Sequence, residues 1–169
     1  LGVVSNRDSL ASLTARFGLP FWYIPANESA PREEHEKLIA NLIERLPSKP
    51  DILVLAKYMR ILTPYFVSKF ENQIINIHHS FLPAFIGANP YKQAYARGVK
   101  IIGATAHFVN NNLDEGPIIA QGVVPVDHSL DADALRTLGK SVEKTTLSKA
   151  LDLALEDRIF VSGNKTVIF

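Results

Sequence analysis

The sequence has no cysteine among its 169 residues, so disulfide bonds and thiolate metal sites are excluded. A chain without cysteine suits a reducing compartment such as the cytoplasm. It also has no apolar run approaching the roughly 20 residues of a membrane span. Lysine and arginine number 18 and aspartate and glutamate 17, giving a formal net charge of +1 and no electrostatic footprint for nucleic acid. We therefore expect neither a nucleic-acid partner nor a membrane partner.

The sequence does contain enough apolar residues for a sizeable core, since 47% are hydrophobic. Residues 52–55 form a continuous apolar run, as in a central parallel strand that is covered on both faces. After Pro31, helical spacing places on one face Leu38, Ile39, Leu42, Ile43 and Leu46. Glu36 falls off this face, and we expect His35 and His128 to face solvent, because their neighbours are charged or lie in a loop.

Strands and helices alternate along the whole chain. The predicted strands lie at residues 1–4, 21–24, 52–55, 74–77, 101–108 and 118–124. The predicted helices lie at residues 9–17, 31–46, 64–70, 90–97 and 131–156, and a hairpin with its turn at residues 162–165 closes the chain. This order predicts one α/β domain over residues 1–169, with three layers and a mostly parallel sheet between helices on both faces.

The most informative polar residues lie at the end of the predicted strand at residues 74–77. Successive strand side chains point to opposite faces, so Asn76 and His78 share one face while Ile75 and Ile77 share the other. In open α/β sheets, ligand sites form at the carboxyl ends of the strands. Burying an unpaired amide costs about 1–3 kcal/mol. Asn76 therefore faces a cleft or is a core residue with satisfied hydrogen bonds, with His78 then structural.

A second polar group follows a later strand. That strand delivers His107, and the loop after it carries Asp114 before the chain turns at Gly116 and Pro117. Taken alone, this asparagine-rich loop is also typical of a surface turn. Together, an asparagine, a histidine and an aspartate near strand ends form a plausible set for attack on a carbonyl carbon.

A third segment lies directly after the apolar run at residues 52–55. Its residues Met59, Arg60, Ile61 and Leu62 can line a ligand pocket with backbone amides and apolar side chains. The alternative is that Met59 and Leu62 pack into the core.

Together these segments resemble the enzymes that use formyltetrahydrofolate. The resemblance rests on Asn76-Ile77-His78, on Leu113-Asp114-Glu115-Gly116-Pro117-Ile118-Ile119 and on Met59-Arg60-Ile61-Leu62, and it covers essentially the whole chain. It implies a formyltransferase-like, Rossmann-related fold. It also implies that Asn76, His78 and Asp114 match the catalytic residues of the family.

The resemblance further implies a folate pocket that reads the pterin largely through backbone groups. The residues assigned to substrate binding are Met59, Arg60, Ile61, Leu62, His79, Gly87, His107, Val109 and Asn110. The expected substrate is 10-formyltetrahydrofolate, and we expect no permanently bound cofactor and no metal.

Several features resemble the deformylases within this group. His79 follows His78 where the transferases usually carry proline, and the loop from there through Gly87 resembles the deformylase loop, as does the ending Gly163-Asn164-Lys165-Thr166-Val167. We therefore expect hydrolysis to formate and tetrahydrofolate, which supplies formate and balances the one-carbon pool for purine synthesis. His79 and the loop through Gly87 are expected to narrow the cleft or to order the attacking water.

The family pattern also contains parts that this sequence does not match. A further strand, loop and helix precede the strand that matches residues 1–4, and deformylases tend to carry an upstream ACT regulatory domain. We expect that this chain lacks both. We also expect a cytoplasmic homo-oligomer.

Three other interpretations stay open. One is a formyltransferase that acts on an amine, of the glycinamide ribonucleotide type. Another is a metal hydrolase using His78, His79, His107 and Asp114, although adjacent strand histidines point to opposite faces unless the strand ends between them. The last is an inert folate-binding module. In the folate hydrolase that the resemblance implies, Asn76 and His78 would stabilise the oxyanion, and Asp114 would either favour the protonated form of His78 or hold the attacking water.

Overall fold

The structure is a computed structural model that describes residues 1–27, 29–83 and 90–169, with only the backbone of Pro90. The chain divides into two compact units, Leu1–Asp51 with Arg60–Phe70 and Ile52–Met59 with Glu71–Phe169. One domain can contain two such units, so the expectation of a single domain over residues 1–169 stays a prediction. Both units contain strands and helices, in agreement with the predicted α/β class.

Among its described residues, the first unit contains two short strands and three helices. These are β1 (Val3–Ser5), α1 (Ala11–Arg16), β2 (Phe21–Tyr23), α2 (Arg32–Glu44) and α3 (Pro64–Lys69). The two strands pair in parallel, with Val3 opposite Phe21. Just past α1, Gly18 has φ +65°, a left-handed conformation that glycine adopts without steric penalty. The predicted stop of this helix at Gly18 is therefore confirmed.

Helix α2 buries a face that overlaps the predicted one at Ile39 and Ile43. Its buried residues are His35, Glu36, Ile39, Ala40 and Ile43. Leu38, predicted to be apolar-facing, is exposed. The expectation that His35 faces solvent and that Glu36 lies off the buried face is wrong, because both side chains are buried with hydrogen-bond partners. His35 Nε2 donates to the Ile24 carbonyl at 2.9 Å. The Glu36 carboxylate oxygens accept from the Thr63 N–H at 3.1 and 3.2 Å, and such pairing offsets the cost of burying polar groups.

The second unit contains the remaining strands and helices. These are β3 (Leu53–Leu55), β4 (Ile74–His78), α4 (Pro90–Arg97), β5 (Ile101–Phe108), β6 (Ile118–Pro125), α5 (Ala132–Leu155), β7 (Ile159–Ser162) and β8 (Lys165–Ile168). The last two form the predicted antiparallel hairpin, with Gly163 at φ +58° in its turn. None of the helices in the described ranges is both long and apolar enough to cross a membrane.

The main sheet of this unit has the strand order β3-β4-β5-β6 and is mixed. β3 and β4 are parallel, whereas β5 runs antiparallel to both of its neighbours. The sheet therefore differs from the mostly parallel prediction in strand direction. The connection from β5 to β6 is a loop without a helix, which suits antiparallel neighbours because they need no crossover. An apolar run looks the same in either direction, so its pattern could not reveal this.

The burial of the strands also differs from the prediction. β3 lies at the end of this sheet and its Val54 is 41% exposed, so it is not covered on both faces. The deeply buried strand is β5, in which residues 102–108 are all buried.

Helix α5 covers one face of this sheet. A core cluster joins Ile75, Ala106 and Phe108 of the sheet to Ala150 and Leu153 of the helix. Ile77 packs against the same cluster. Because strand side chains alternate, Asn76 and His78 point to the opposite face of β4, as predicted.

Candidate functional site

The pairing of β4 with β5 sets two polar side chains beside each other. Asn76 lies directly opposite His107, and His78 lies opposite Thr105. Residues opposite each other on adjacent strands share one face of the sheet. Asn76 Nδ2 is 3.2 Å from His107 Nε2. This contact could not be read from the sequence, because it depends on the direction and register of the two strands.

The loop between β5 and β6 brings Asp114 to this pair. The Asp114 Oδ2 atom is 3.3 Å from His78 Nδ1, and Oδ1 accepts from Asn76 Nδ2 at 3.5 Å. The same Oδ1 atom is 3.7 Å from His107 Nε2. The structure therefore brings together the three side chains predicted as catalytic. The Asp114 side chain is 11% exposed, so its charge is only partly screened by solvent.

Backbone contacts explain how the loop delivers this carboxylate. Phe108 N donates to the Pro117 carbonyl at 2.9 Å, which closes the loop at its base. Gly116 lies so close to Phe108 that a β-carbon there would overlap the carbonyl oxygen, so position 116 requires glycine for steric reasons. Asp114 itself has φ +56°, a left-handed conformation in which aspartate is enriched among non-glycine residues.

His107 is oriented by a backbone carbonyl. Its Nδ1 is 2.8 Å from the Phe108 oxygen, and since a carbonyl only accepts, Nδ1 carries a proton. The Nε2 atom is then left to face Asn76 and Asp114, and it accepts from the Asn76 amide when the ring is neutral. His107 was predicted to bind substrate. The structure places it 2% exposed, where both ring nitrogens contact protein groups.

The pKa of Asp114 is lowered from its ordinary value. The contact with His107 is the largest cause, and the positive charges of His78, His107 and His79 act in the same direction. Burial opposes this effect, because desolvation disfavours the charged form. Asp114 is therefore ionised at neutral pH and favours the imidazolium form of a neighbouring histidine.

His79 lies against His78 rather than on the opposite face. The two rings stack with centroids 5.2 Å apart and an interplanar angle of 15°. β4 ends at His78, so the strand ends between the two histidines, and the alternation that would send them to opposite faces ends with it. The Tyr91 ring is a further neighbour of His79, at 6.2 Å between centroids. Within the described ranges, no group of three or more histidine, aspartate, glutamate or cysteine residues has a geometry that could hold a metal ion.

A cavity of about 540 Å³ borders Asp114 in the second unit. Leu82 and Pro83 line one part of it, and Asn164 and Lys165 of the terminal hairpin line another. This volume lies in the range of small-molecule sites. The assigned site residues did not include these four, although the run from Gly163 in the hairpin was part of the deformylase-like pattern.

The predicted segment of four residues after β3 spans the boundary between the two units. Met59 belongs to the second unit, where its side chain is 74% exposed and its φ is +50°. The alternative interpretation, that Met59 packs into the core, is therefore wrong. Arg60, Ile61 and Leu62 belong to the first unit. There the Arg60 guanidinium lies 3.3 Å from His35 Nδ1, and Ile61 is exposed.

The remaining predicted binding residues lie in or near the Asp114 loop, with one exception. Val109 and Asn110 are half-buried. Val109 N donates to the Ile74 carbonyl at 2.9 Å, and the Asn110 side chain accepts from Asn112 N at 3.0 Å, forming the turn that the asparagine-rich loop suggested. Gly87 lies outside the described residues.

Comparison with known proteins agrees with this geometry. Residues 1–151 match the family described as formyl transferase. The chain is 60% identical over 166 residues to a formyltetrahydrofolate deformylase of Haemophilus influenzae, covering 98% of this chain and 59% of the relative. It is 53% identical over 167 residues to one of Bacillus subtilis, covering 99% and 55%. The chain thus spans a little over half the length of these curated relatives.

Solved structures of a deformylase and of a transformylase are also similar to this chain. A crystal structure of a formyltetrahydrofolate deformylase from Pseudomonas syringae pv. tomato has a TM-score of 0.93 and 43% identity, covering 99% of this chain and 55% of that one. A glycinamide ribonucleotide transformylase from Symbiobacterium toebii has a TM-score of 0.91 and 32% identity, covering 99% and 79%. The α/β fold class is therefore confirmed by both kinds of neighbour.

Proposed function

Because this chain belongs to the formyl transferase family, we propose that it is the catalytic part of an enzyme that hydrolyses 10-formyltetrahydrofolate to formate and tetrahydrofolate. The main support is the convergence of Asn76 and His78 on the Asp114 carboxylate, at 3.5 and 3.3 Å. The names of the relatives at 53% and 60% identity favour hydrolysis over transfer to an amine, since the transformylase neighbour is 32% identical.

Asn76 is the proposed donor to the oxyanion. When water attacks the formyl carbon, negative charge develops on the formyl oxygen as the carbon becomes tetrahedral. The Asn76 amide donates to Asp114 at 3.5 Å, the outer limit of a hydrogen bond, so the amide can readily redirect this hydrogen bond to the more strongly accepting oxyanion. A donor of this kind typically contributes about 10²–10³ in kcat.

His78 is the proposed acid. Its Nδ1 faces the ionised Asp114, which stabilises the imidazolium. The imidazolium protonates the departing nitrogen of the folate. The neutral imidazole that remains takes up the proton that the attacking water loses, and this restores the imidazolium. General acid catalysis is worth about 10²–10⁴ in rate. Because its pKa is lowered, Asp114 is a weak base, so we assign it to stabilising His78 and to accepting a hydrogen bond from the water.

The other predicted residues have supporting roles in this proposal. His107 holds Asn76 and Asp114 in place, and His79 narrows the approach to His78. The segment from Met59 to Leu62, with Val109 and Asn110, is proposed to bind the folate. The left-handed backbone of Met59 supports this, since strained conformations cluster at functional sites. A cytoplasmic homo-oligomer that serves purine synthesis stays a prediction.

The test is formate release by the full-length protein, with and without an amine acceptor. We expect release in both cases, and a strict need for the amine would instead favour a transferase. Asp114→Asn and His78→Ala should each abolish release while folate binding persists. Asp152→Asn removes the charge of an exposed aspartate on α5 and serves as the matched control. Near-normal turnover in the Asp114 or His78 variant would refute the assignment.

A further inference from the structure

A buried hydroxyl on β5 holds the chain just beyond the proposed catalytic histidine. Thr105 is 0% exposed and lies opposite His78 in the pairing of β4 with β5. Its Oγ1 donates to the Ser80 carbonyl at 3.0 Å and accepts from the Leu82 N–H at 3.0 Å. Both bonds fall on the segment that leaves the carboxyl end of β4.

Gln121 on β6 completes this arrangement. It lies opposite Thr105, and its Nε2 donates to Thr105 Oγ1 at 3.0 Å and to the Leu82 carbonyl at 3.1 Å. A hydroxyl has one hydrogen and two lone pairs, so all three bonds that Thr105 can make are made. Both hydrogens of the Gln121 amide are also used. We call Ser80, Leu82, Thr105 and Gln121 the strand-end clamp.

The strand-end clamp fixes a segment that meets the proposed site at two points. At its start, Ser80 follows His79, whose ring stacks on His78. At its end, Leu82 and Pro83 line the cavity that Asp114 also lines. A shift of this segment would therefore move the stacked rings and the cavity wall relative to the carboxylate.

We propose that Thr105 is a positioning residue for the proposed hydrolysis. Through Ser80 and Leu82, it holds His78 and His79 at the distance from Asp114 that the reaction needs. Because Thr105 is fully buried, it acts through the strand-end clamp rather than on the substrate. The inference rests on the proposed function.

Two substitutions at this position separate the hydroxyl from the shape of the side chain. Thr105→Val keeps the volume and removes all three hydrogen bonds, whereas Thr105→Ser keeps the hydroxyl. We expect Thr105→Val to lower kcat for formate release about 10²-fold, the effect of a misplacement of ~1 Å, with KM changed much less. Thr105→Ser should restore most of kcat.

Thr146 provides a matched control. It is a buried threonine on α5 whose Oγ1 has no hydrogen-bond partner within the described part of the chain. Thr146→Val makes the same atomic change without breaking a bond, so kcat should stay at the wild-type value. If Thr105→Val fails to fold, Gln121→Leu removes two bonds of the strand-end clamp from a more exposed position and should lower kcat in the same direction.

Three outcomes decide the matter. Wild-type kcat in folded Thr105→Val, or an equal loss in Thr105→Ser and Thr105→Val, would overturn the positioning role. If the wild-type protein releases no formate, the proposed function fails. The NMR resonances of the His78 ring then test whether the strand-end clamp positions His78. We expect those resonances to shift in Thr105→Val but not in Thr146→Val, and unchanged resonances would refute the inference.

Discussion

Replacing Gly116 by alanine should disable the proposed site without altering any of its polar side chains. A β-carbon at this position would overlap the Phe108 carbonyl oxygen and lie 2.9 Å from its carbonyl carbon. Carbon atoms in contact are normally about 3.5–4.0 Å apart, and the carbonyl oxygen lies closer to the β-carbon than the carbonyl carbon does, so the two segments must separate by at least about 1 Å. That carbonyl accepts the hydrogen bond from His107 Nδ1 at 2.8 Å, and a shift of this size breaks it.

The expected loss follows from this displacement. Moving the supports of Asn76 and Asp114 by ~1 Å should lower kcat about 10²-fold. Overpacking of this kind also destabilises a fold by about 1–3 kcal/mol. The assay is formate release by the full-length protein, with folate affinity measured separately and folding checked by thermal unfolding.

Gly98→Ala provides the control. Gly98 has φ +62°, and no atom lies within 4 Å of the position that a β-carbon would take, so alanine there meets backbone strain but no clash. We expect its Tm to fall while kcat is preserved. A folded Gly116→Ala protein with wild-type kcat would show that the Phe108 carbonyl and the orientation of His107 do not matter for the reaction.

Three further outcomes are expected. Asn76→Ala should lower kcat about 10²–10³-fold with little change in folate affinity, measured by steady-state kinetics and titration. Glu36→Ala should lower the free energy of unfolding, measured in urea, by about 1–3 kcal/mol, because it leaves the Thr63 N–H without its acceptor. A change under about 0.5 kcal/mol, the size of an ordinary surface substitution, would contradict this. Because folding lowers the pKa of Asp114, its carboxylate contributes stability that is fully present at pH values above the ordinary pKa of 3.8. This contribution is lost as the pH falls through the lower pKa of the folded protein. Urea midpoints should therefore fall less steeply on the acid side in Asp114→Asn than in the wild type.

Local sequence signals predicted several elements to within a residue or two. α4 spans Pro90–Arg97 and β5 spans Ile101–Phe108, as predicted, because Pro90 begins the helix and Gly98 ends it. The long helix α5 also begins after its predicted first residue, Asp131, whose carboxylate accepts from the N–H groups of residues 133 and 134. Proline, glycine and capping residues act over a few positions, so their effects can be read from the sequence directly.

Buried polar groups are the feature of this protein that its sequence predicts least well. His35 and Glu36 have charged neighbours along the chain, and this suggested exposure. Their partners are 11 and 27 residues away, at Ile24 and Thr63, and no local pattern points to them. The hydrogen bonds of Thr105 were missed for the same reason, because Ser80 and Gln121 lie far from it along the chain.

The sequence by itself determined the α/β class, the face of β4 that carries Asn76 and His78, and the identity of the polar residues available for chemistry, because periodicity and punctuation are local properties. Only the tertiary structure decided the direction of β5, the stacking of His79 on His78 and the contacts of Asn76 with His107 and Asp114. Those partners lie 31 and 38 residues away, and their distances depend on strand register and loop closure.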